Sequence, residues 1–480
     1  MNKESTSRRA SSAIETAKTV ILTGLILSLV VLVVVYVGGM RAYDEAAGKN
    51  DLGENFDRLW SVVSDFEPTG LDKSHLLPEI IGYKQPSSPT ALAVLANTDG
   101  ISELYELTKP CILELFGSNS VCTELSADEG KQRISEAKAS DEFVYLRYHT
   151  PVLYQLIYAY ATDTLTVSES DIAMGEKGSI GAYISEIIIV PDTGFAAHRF
   201  VAYATDANGR YFEFRPSERV VASDFYISKL ATTASTVGTL PLYFSKDSSF
   251  AYGEPIVDGE VEYDAVAYSA MDIENEALRA SLLDLFEYNT EKLDGYSDNT
   301  GYVYVDTHSQ LRVESDEIIF QTTDGAASNS SLRGIRIDSL LGYVSSDTSG
   351  LFDKLTAVDS LIRKLGEISP ELIGKDAKLC LGDVYSDGSL LVIEYFLTYN
   401  GIRISGEPYL RAVLTEQTVS GLHLRPMSVS AAEGTGLALS PSYIMDNLNK
   451  SGKLNKDRSI DSVRLFYTGD SAEWNVILSD

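Results

Sequence analysis

The side chains best suited to chemistry are few and widely spaced. Five histidines, His75, His149, His198, His308 and His423, form no H-x-H or H-x-x-x-H pair. A zinc site needs ligands at short, defined spacings on at least one element, so no metal site is read and surface or hydrogen-bonded imidazoles are expected. Ser135 and Lys138 fit S-x-x-K, but the K-T-G partner is missing. No G-x-S-x-G, phosphate-binding loop or dinucleotide fingerprint is present. The segment "DGYSDNTG" (294–301) misses the calcium-loop pattern. With 69 Asp and Glu, a carboxylate pair at glycosidase separation is conceivable. Sugar clefts usually stack their substrate on aromatic rings, tryptophan included, and the chain has two tryptophans, Trp60 and Trp474. Its 28 tyrosines alternate on strands or pair at helical spacing (Tyr154 and Tyr158), as packing requires. No catalytic residue and no cofactor is read from these residues.

Cys111, Cys122 and Cys380 are too few for a disulfide scaffold and include no C-x-x-C. Outside a cell, Cys111 and Cys122 could bridge, although spacing alone fixes no geometry. The other reading is three buried thiols.

Chemistry aside, the most distinctive stretch is Thr19 to Met40, which carries no charge. Its length suits a membrane-spanning helix, which needs about 20 apolar residues. A signal peptide has a shorter apolar core, of about 7–15 residues, and a small-residue cleavage site. Here the following cluster begins with Glu45, so an uncleaved signal-anchor is expected. Lys3, Arg8, Arg9 and Lys18 precede the span. Arg41 and Lys49 follow it among Asp44, Glu45 and Asp51. Positive charge stays cytoplasmic, which places the amino terminus inside and the remainder outside the membrane. Gly24 and Ser28, four apart, form a small-xxx-small face on which a second helix could approach closely. A homodimer through that face stays open, as does a passive anchor.

The net charge is −30 and no basic stripe exists, which argues against nucleic acid. A hydrophobic fraction of 44% is ordinary for a folded chain. The expected fold class is α+β: one amino-terminal membrane helix, then several extracytoplasmic units of antiparallel sheet with packed helices. The expected division is a cytoplasmic tail (1–18), the span (19–40), an α+β region (41–254), a helix-plus-hairpin domain (255–345) and a meander domain (346–480). Phe56, Leu59, Trp60 and Val63 suggest a helical stem. "TGLDKSHLLPEIIGYKQPSSP" reads as loop, with its three prolines. "DGISELYELTKPCILELFG" reads as a helix or helix pair interrupted at Pro110. Thr150 and Pro151 read as the N-cap and first residue of a helix that follows the strand "DEFVYLRYH". Asn208-Gly209, Asp387-Gly388 and Asn400-Gly401 read as hairpin turns. Helices are expected from the stripes Ile273–Leu278–Leu282–Leu285 and Leu351–Leu355–Val358–Ile362. No βαβ rhythm appears, which disfavours a nucleotide-binding α/β enzyme.

Three features then resemble the YycH/YycI family of bacterial membrane-anchored regulators. One is the layout of basic terminus, single span and long remainder. Another is the middle segment "YVYVDTHSQLRVESDEIIFQTTDG". The third is the meander "SLLVIEYFLTYNGIRISGEPYLRAVLTEQTVSGLHLRP". The likeness is clearest over residues 270–480 and poor over 43–254. It implies a non-enzymatic protein that associates with a second single-span family member and with a sensor histidine kinase of a two-component system governing cell-wall metabolism. No catalytic residue carries over. The alternative is an anchored cell-envelope hydrolase or wall-binding module.

Overall fold

Several strands here do not alternate buried and exposed side chains. In Phe143–Leu153 and in Leu390–Tyr399 nearly every residue is buried, so each must be covered on both faces. The computed structural model describes residues 76–162, 174–175, 183–192, 199–216, 227–244, 254–288, 293–306, 308–322, 334–341, 351–404, 406–450 and 460–478, apart from 87, 118–119 and 207. They lie in one compact unit, Pro68–Asp480. The expected span, Gly24, Ser28 and the stem fall outside the described residues. Among the described residues, no helix is long and apolar enough to cross a membrane.

The first ten strands are β1 (Pro78–Lys84), β2 (Ala91–Leu95), β3 (Ser120–Leu125), β4 (Phe143–Leu153), β5 (Met174–Gly175), β6 (Tyr183–Pro191), β7 (Phe200–Asp206), β8 (Tyr211–Pro216), β9 (Leu240–Phe244) and β10 (Pro255–Val257). They make one sheet in the order β10-β9-β2-β1-β4-β6-β7-β8-β3-β5, antiparallel except for the β3–β5 pair. Four helices accompany it: α1 (Ile101–Phe116), α2 (Ala127–Lys138), α3 (Tyr154–Thr162) and α4 (Ile227–Val237). α1 packs on α3 and α4, with Tyr105 stacked on Tyr160 at 4.7 Å and its hydroxyl 3.0 Å from that of Tyr148 on β4.

Three expectations for this region need correction. The supposed loop is the hairpin β1–β2, with Ile81 opposite Val94. Its prolines bracket the strands rather than break them: Pro78 opens β1, while Pro86 and Pro89 lie in the connection. β1 is buried on both faces, so the alternation that would mark a strand is absent. Second, α1 runs through Pro110 without interruption. Pro110 is exposed, so the carbonyl that loses its helical donor faces solvent. Third, Thr150 and Pro151 belong to β4, and the helix begins at Tyr154. The β4–β6 register shifts between Arg147 and Val152, which is where a residue without N–H is tolerated. Thr150 Oγ1 donates to the Leu381 carbonyl at 2.5 Å instead of capping a helix.

The second half opens with β11 (Val261–Ala270), and β12 (Asp294–Ser297), β13 (Gly301–Val305), β14 (Ser309–Glu314), β15 (Ile318–Thr322) and β16 (Ile335–Arg336) follow. Then come β17 (Lys378–Asp387), β18 (Leu390–Tyr399), β19 (Ile402–Ile404), β20 (Leu410–Leu414), β21 (Thr418–Leu424), β22 (Met427–Ala438), β23 (Ile460–Thr468) and β24 (Ser471–Leu478). Among the described residues twelve of these form a sheet along β12-β13-β14-β15-β21-β20-β18-β19-β23-β24, with β16 on β21 and β17 on β18. β11 and β22 form a separate two-stranded ribbon. The helices are α5 (Glu276–Leu285), α6 (Ile337–Leu341), α7 (Leu351–Ile368) and α8 (Pro441–Lys450). α5 and α7 sit where the apolar stripes place them. Phe286, at the end of α5, stacks on Phe320 of β15 at 4.6 Å. Asp359 of α7 accepts from the Tyr395 hydroxyl of β18 at 2.7 Å. The fold is therefore α+β with mostly antiparallel sheets.

All three Asx-Gly turns form, with positive φ at Gly209, Gly388 and Gly401. Gly401 does more than turn. A Cβ there would collide with the carbonyl group of Ala96, just after β2. This turn is therefore a point at which the two halves meet backbone to backbone.

Candidate functional site

β4 lies against β17 of the second sheet, and among the described residues this seam gathers a dense set of buried charges. Period-two geometry puts Tyr145, Arg147 and His149 on one face of β4, while Val144, Leu146 and Tyr148 turn to the other. Glu79 reaches the same place from β1, Glu254 from the residue before β10, and Arg403 and Arg464 from β19 and β23. Arg147 Nη1 lies 2.7 Å from Glu254 Oε1, and its Nε 3.5 Å from Glu79 Oε2. Arg464 Nη1 is also 3.5 Å from Glu79 Oε2 and donates to the His149 carbonyl at 2.5 Å. The Val463 amide donates to Glu254 at 3.3 Å. The two contacts of Glu79 Oε2 are charge contacts, too long and oblique to be hydrogen bonds.

The electrostatics follow from that crowding. Burial acts to raise the Glu79 carboxyl, but Arg464 and then Arg147 outweigh it and hold the group below its ordinary value. Burial also raises Glu254, and there the pull of Arg147 does not fully offset it. His149 is driven down to about 4, first by burial, with Arg403, Arg464 and Arg147 opposing a further positive charge and only Glu79 favouring it. Three guanidinium groups thus face two carboxylates, and His149 is neutral at physiological pH. A second set adjoins this one. Lys138 of α2 lies 3.1 Å from both oxygens of Glu186, which also accepts from Tyr145 at 2.8 Å. Lys138, the lysine of the S-x-x-K match, is thus committed to an ion pair. Such a network fixes which strands meet and in what register. Within it, Glu79 Oε2 is held by the charges of Arg147 and Arg464 rather than by a hydrogen bond.

Sequence reasoning found none of this network. The members around Glu79 come from four strands, β1, β4, β19 and β23, and from the residue before β10, and local spacing joins only those on β4.

Cys111 on α1, Cys122 on β3 and Cys380 on β17 are all buried thiols. Burial pushes the Cys111 thiol well above its ordinary value. His308 is exposed, His423 pairs with Glu317, and His75 and His198 fall outside the described residues. In "DGYSDNTG", Asp298 accepts from the Thr300 hydroxyl at 2.7 Å and from the Thr300 and Gly301 amides. It closes the β12–β13 turn. Among the described residues no group of three or more His, Cys, Asp or Glu is placed to hold a metal.

Among the described residues, the second half carries two sizeable concave sites. One, of about 730 Å³, is lined by Tyr268, Tyr467, Glu314, Asp316, Glu317 and Arg425, among others. Its polar groups are largely engaged: Glu314 with Arg312, Glu317 with His423, Arg425 with Glu407. The Tyr268 and Tyr467 hydroxyls donate to the carbonyls of Gly469 and Asp264. The other, of about 570 Å³, is an apolar groove between β22, α8 and β24.

No protein-family model matches the sequence, and no curated protein matches it. Among solved structures, the chain is similar to YycH from Bacillus subtilis, with a TM-score of 0.51 and 11% identity, over 84% of this chain and 94% of that one. The chain has a YycH-like fold. The similarity is one of fold and extends well beyond residues 270–480, into the half where sequence motifs show no likeness.

Proposed function

We propose that this protein is a non-enzymatic, single-pass membrane regulator that tunes a sensor histidine kinase of a two-component system controlling cell-wall metabolism. The observation that carries the reading is the YycH-like fold over 84% of the chain. It is supported by the uncharged stretch Thr19–Met40 behind a basic terminus, and by a central buried network whose charges serve each other. The amino terminus is cytoplasmic and the folded remainder extracytoplasmic. The partners are the kinase and a second single-span regulator of the same family. A regulator of this kind shifts a kinase only by binding its two signalling states unequally. Helix contact along Gly24 and Ser28 supplies one such difference, and an ectodomain face supplies another.

The test is co-purification from solubilised membranes. The native chain brings down a sensor histidine kinase, and the double variant Gly24→Leu, Ser28→Leu loses it while the ectodomain stays folded. Retention of the kinase by the double variant removes the helix face from the account. Absence of any kinase with the native chain removes the regulatory reading. The hydrolase or wall-binding alternative has its natural location in the cleft of Glu314, Asp316 and Glu317. Peptidoglycan binding or cleavage that Asp316→Asn and Glu317→Gln abolish would favour it.

A further inference from the structure

The charges of the seam do not balance, and the surplus is one cation. Arg147 and Arg464 both reach Glu79, and Arg147 also holds Glu254. Arg403 is the third guanidinium. Among the described residues it has no ion pair and no side-chain hydrogen bond; Glu79 and Asp383 attract it only from farther away. Burial holds its pKa below the ordinary arginine value, and the charge of Arg464 acts in the same direction. The group stays a cation all the same, because a guanidinium keeps its proton at any physiological pH. A half-buried cation without a counter-charge costs stability unless its surroundings compensate.

Part of that compensation comes from aromatic rings. β19 runs between β18 and β23, and Arg403 stands opposite Thr398 on one and Phe466 on the other. Phe396 lies two residues along β18 from Thr398, hence on the same face. The guanidinium carbon of Arg403 is 3.4 Å from the centre of the Phe396 ring and 5.6 Å from that of Phe466. Rings stacked on a guanidinium cover its faces and leave its N–H groups directed outward in its own plane. Those groups are not sealed in: no polar atom of Arg403 is both buried and without a hydrogen bond. Thr398 also faces Lys378, on β17 at the other side of β18. Lys378 is exposed, and among the described residues it has no ion pair either. Two strand spacings, about 10 Å, separate its backbone from that of Arg403, within the combined reach of two long side chains on one face.

This arrangement selects a ligand. An arginine whose faces are stacked offers only its in-plane fork, and the group that matches a planar fork with two oxygens side by side is a carboxylate. The chain as a whole, at −30, repels anions, so a place where cations outnumber carboxylates stands out from it. We propose that Arg403, with Lys378 beside it, forms a carboxylate-binding site at the edge of the seam, both carboxylate oxygens accepting from the Arg403 fork. The inference goes beyond the kinase reading and stands whether or not the chain regulates a kinase.

Chemical modification of the native full-length chain reads the site directly. Methylglyoxal attacks accessible guanidinium groups, and peptide mapping by mass spectrometry follows its addition at each arginine. Arg403 is expected to react, while Arg147, buried and paired, serves as the unreactive reference. Two carboxylate probes, acetate and the capped peptide acetyl-Gly-Glu-Gly-amide, are then added at constant ionic strength. Both should protect Arg403 saturably, slowing its modification about tenfold at about ten times the half-protecting concentration. Protection by the peptide at lower concentration than acetate would support an acidic side chain of a partner protein as the ligand. Equal protection would support a small carboxylate. Lys378→Gln, at an exposed strand position, should raise the half-protecting concentration several-fold while Arg403 still reacts. The proposal is overturned if Arg403 resists modification, or if the carboxylates leave its modification unchanged. It is equally overturned if chloride or phosphate protects as well as acetate, and an unchanged half-protecting concentration in Lys378→Gln overturns the two-cation site.

Discussion

The seam between the two sheets and the groove at the end of the second sheet are built on opposite principles. In the seam, the groups are charged, buried and matched to one another: Arg147 and Arg464 converge on Glu79, and Arg147 also holds Glu254. In the groove, Leu437, Leu439 and Tyr443 are apolar or aromatic and about half exposed. The difference teaches where to look for function in a chain without a catalytic motif. Matched buried charges specify how the halves of one chain meet. The half-exposed apolar side chains of the groove take no part in such a network.

The largest expected effect comes from breaking the seam. Arg147→Met leaves Glu79 and Glu254 buried without their shared partner, and loss of one member of such a set costs about 3–5 kcal/mol. Denaturant unfolding should show it, and a loss under about 1 kcal/mol would mean the network contributes little.

Next is a matched pair of glycines. Both Gly388 and Gly401 occupy the left-handed region of a hairpin turn. A Cβ at Gly388 would meet nothing within 4 Å, whereas one at Gly401 would run into the Ala96 carbonyl. Gly388→Ala should cost about 1 kcal/mol from backbone strain alone, and Gly401→Ala about 3 kcal/mol because the halves must also move apart. Equal costs would show that the contact with Ala96 yields easily.

The seam should also be sensitive to acid. His149 binds its proton near pH 4 in the folded chain and at about 6.5 when unfolded. Between those values the unfolded chain holds more protons, so stability falls as pH drops through that window, by up to about 3 kcal/mol. The lowered Glu79 carboxyl adds a loss in the same direction at lower pH, as it too becomes protonated. His149→Gln should flatten the part of the stability profile between pH 6.5 and 4. An unchanged slope in the variant would show that His149 is not the group responsible.

The smallest effect belongs to the groove. Leu439→Lys is at a half-exposed position and should leave stability within about 0.5 kcal/mol. A large destabilisation would make Leu439 part of the packed fold rather than of its surface.

What the sequence made legible follows the same division. The hairpin turns at Asn208-Gly209, Asp387-Gly388 and Asn400-Gly401, the stripe on α7 and the meander β17–β21 announce themselves through local chemistry and periodicity. β1 was hidden because burial on both faces removes alternation and its flanking prolines mimic a loop. α2 carried a signal that local reading passes over: Ser126 accepts from the Glu129 amide three residues on, the N-terminal half of a capping box. The seam was not legible at all. Glu79, Arg147, Glu254 and Arg464 are brought together by strand order alone, and the pairing of β19 with β23 in parallel has no local signature.

The central claim is that the chain regulates a kinase through a membrane helix and a folded ectodomain. Its most direct test is photo-crosslinking in intact membranes, with a photoreactive residue placed in turn at each position from Thr19 to Met40. The account predicts capture of a sensor histidine kinase or a second single-span regulator, recurring every three to four positions as one helix face should. Capture of lipid alone at every position would contradict it and leave the span as a tether.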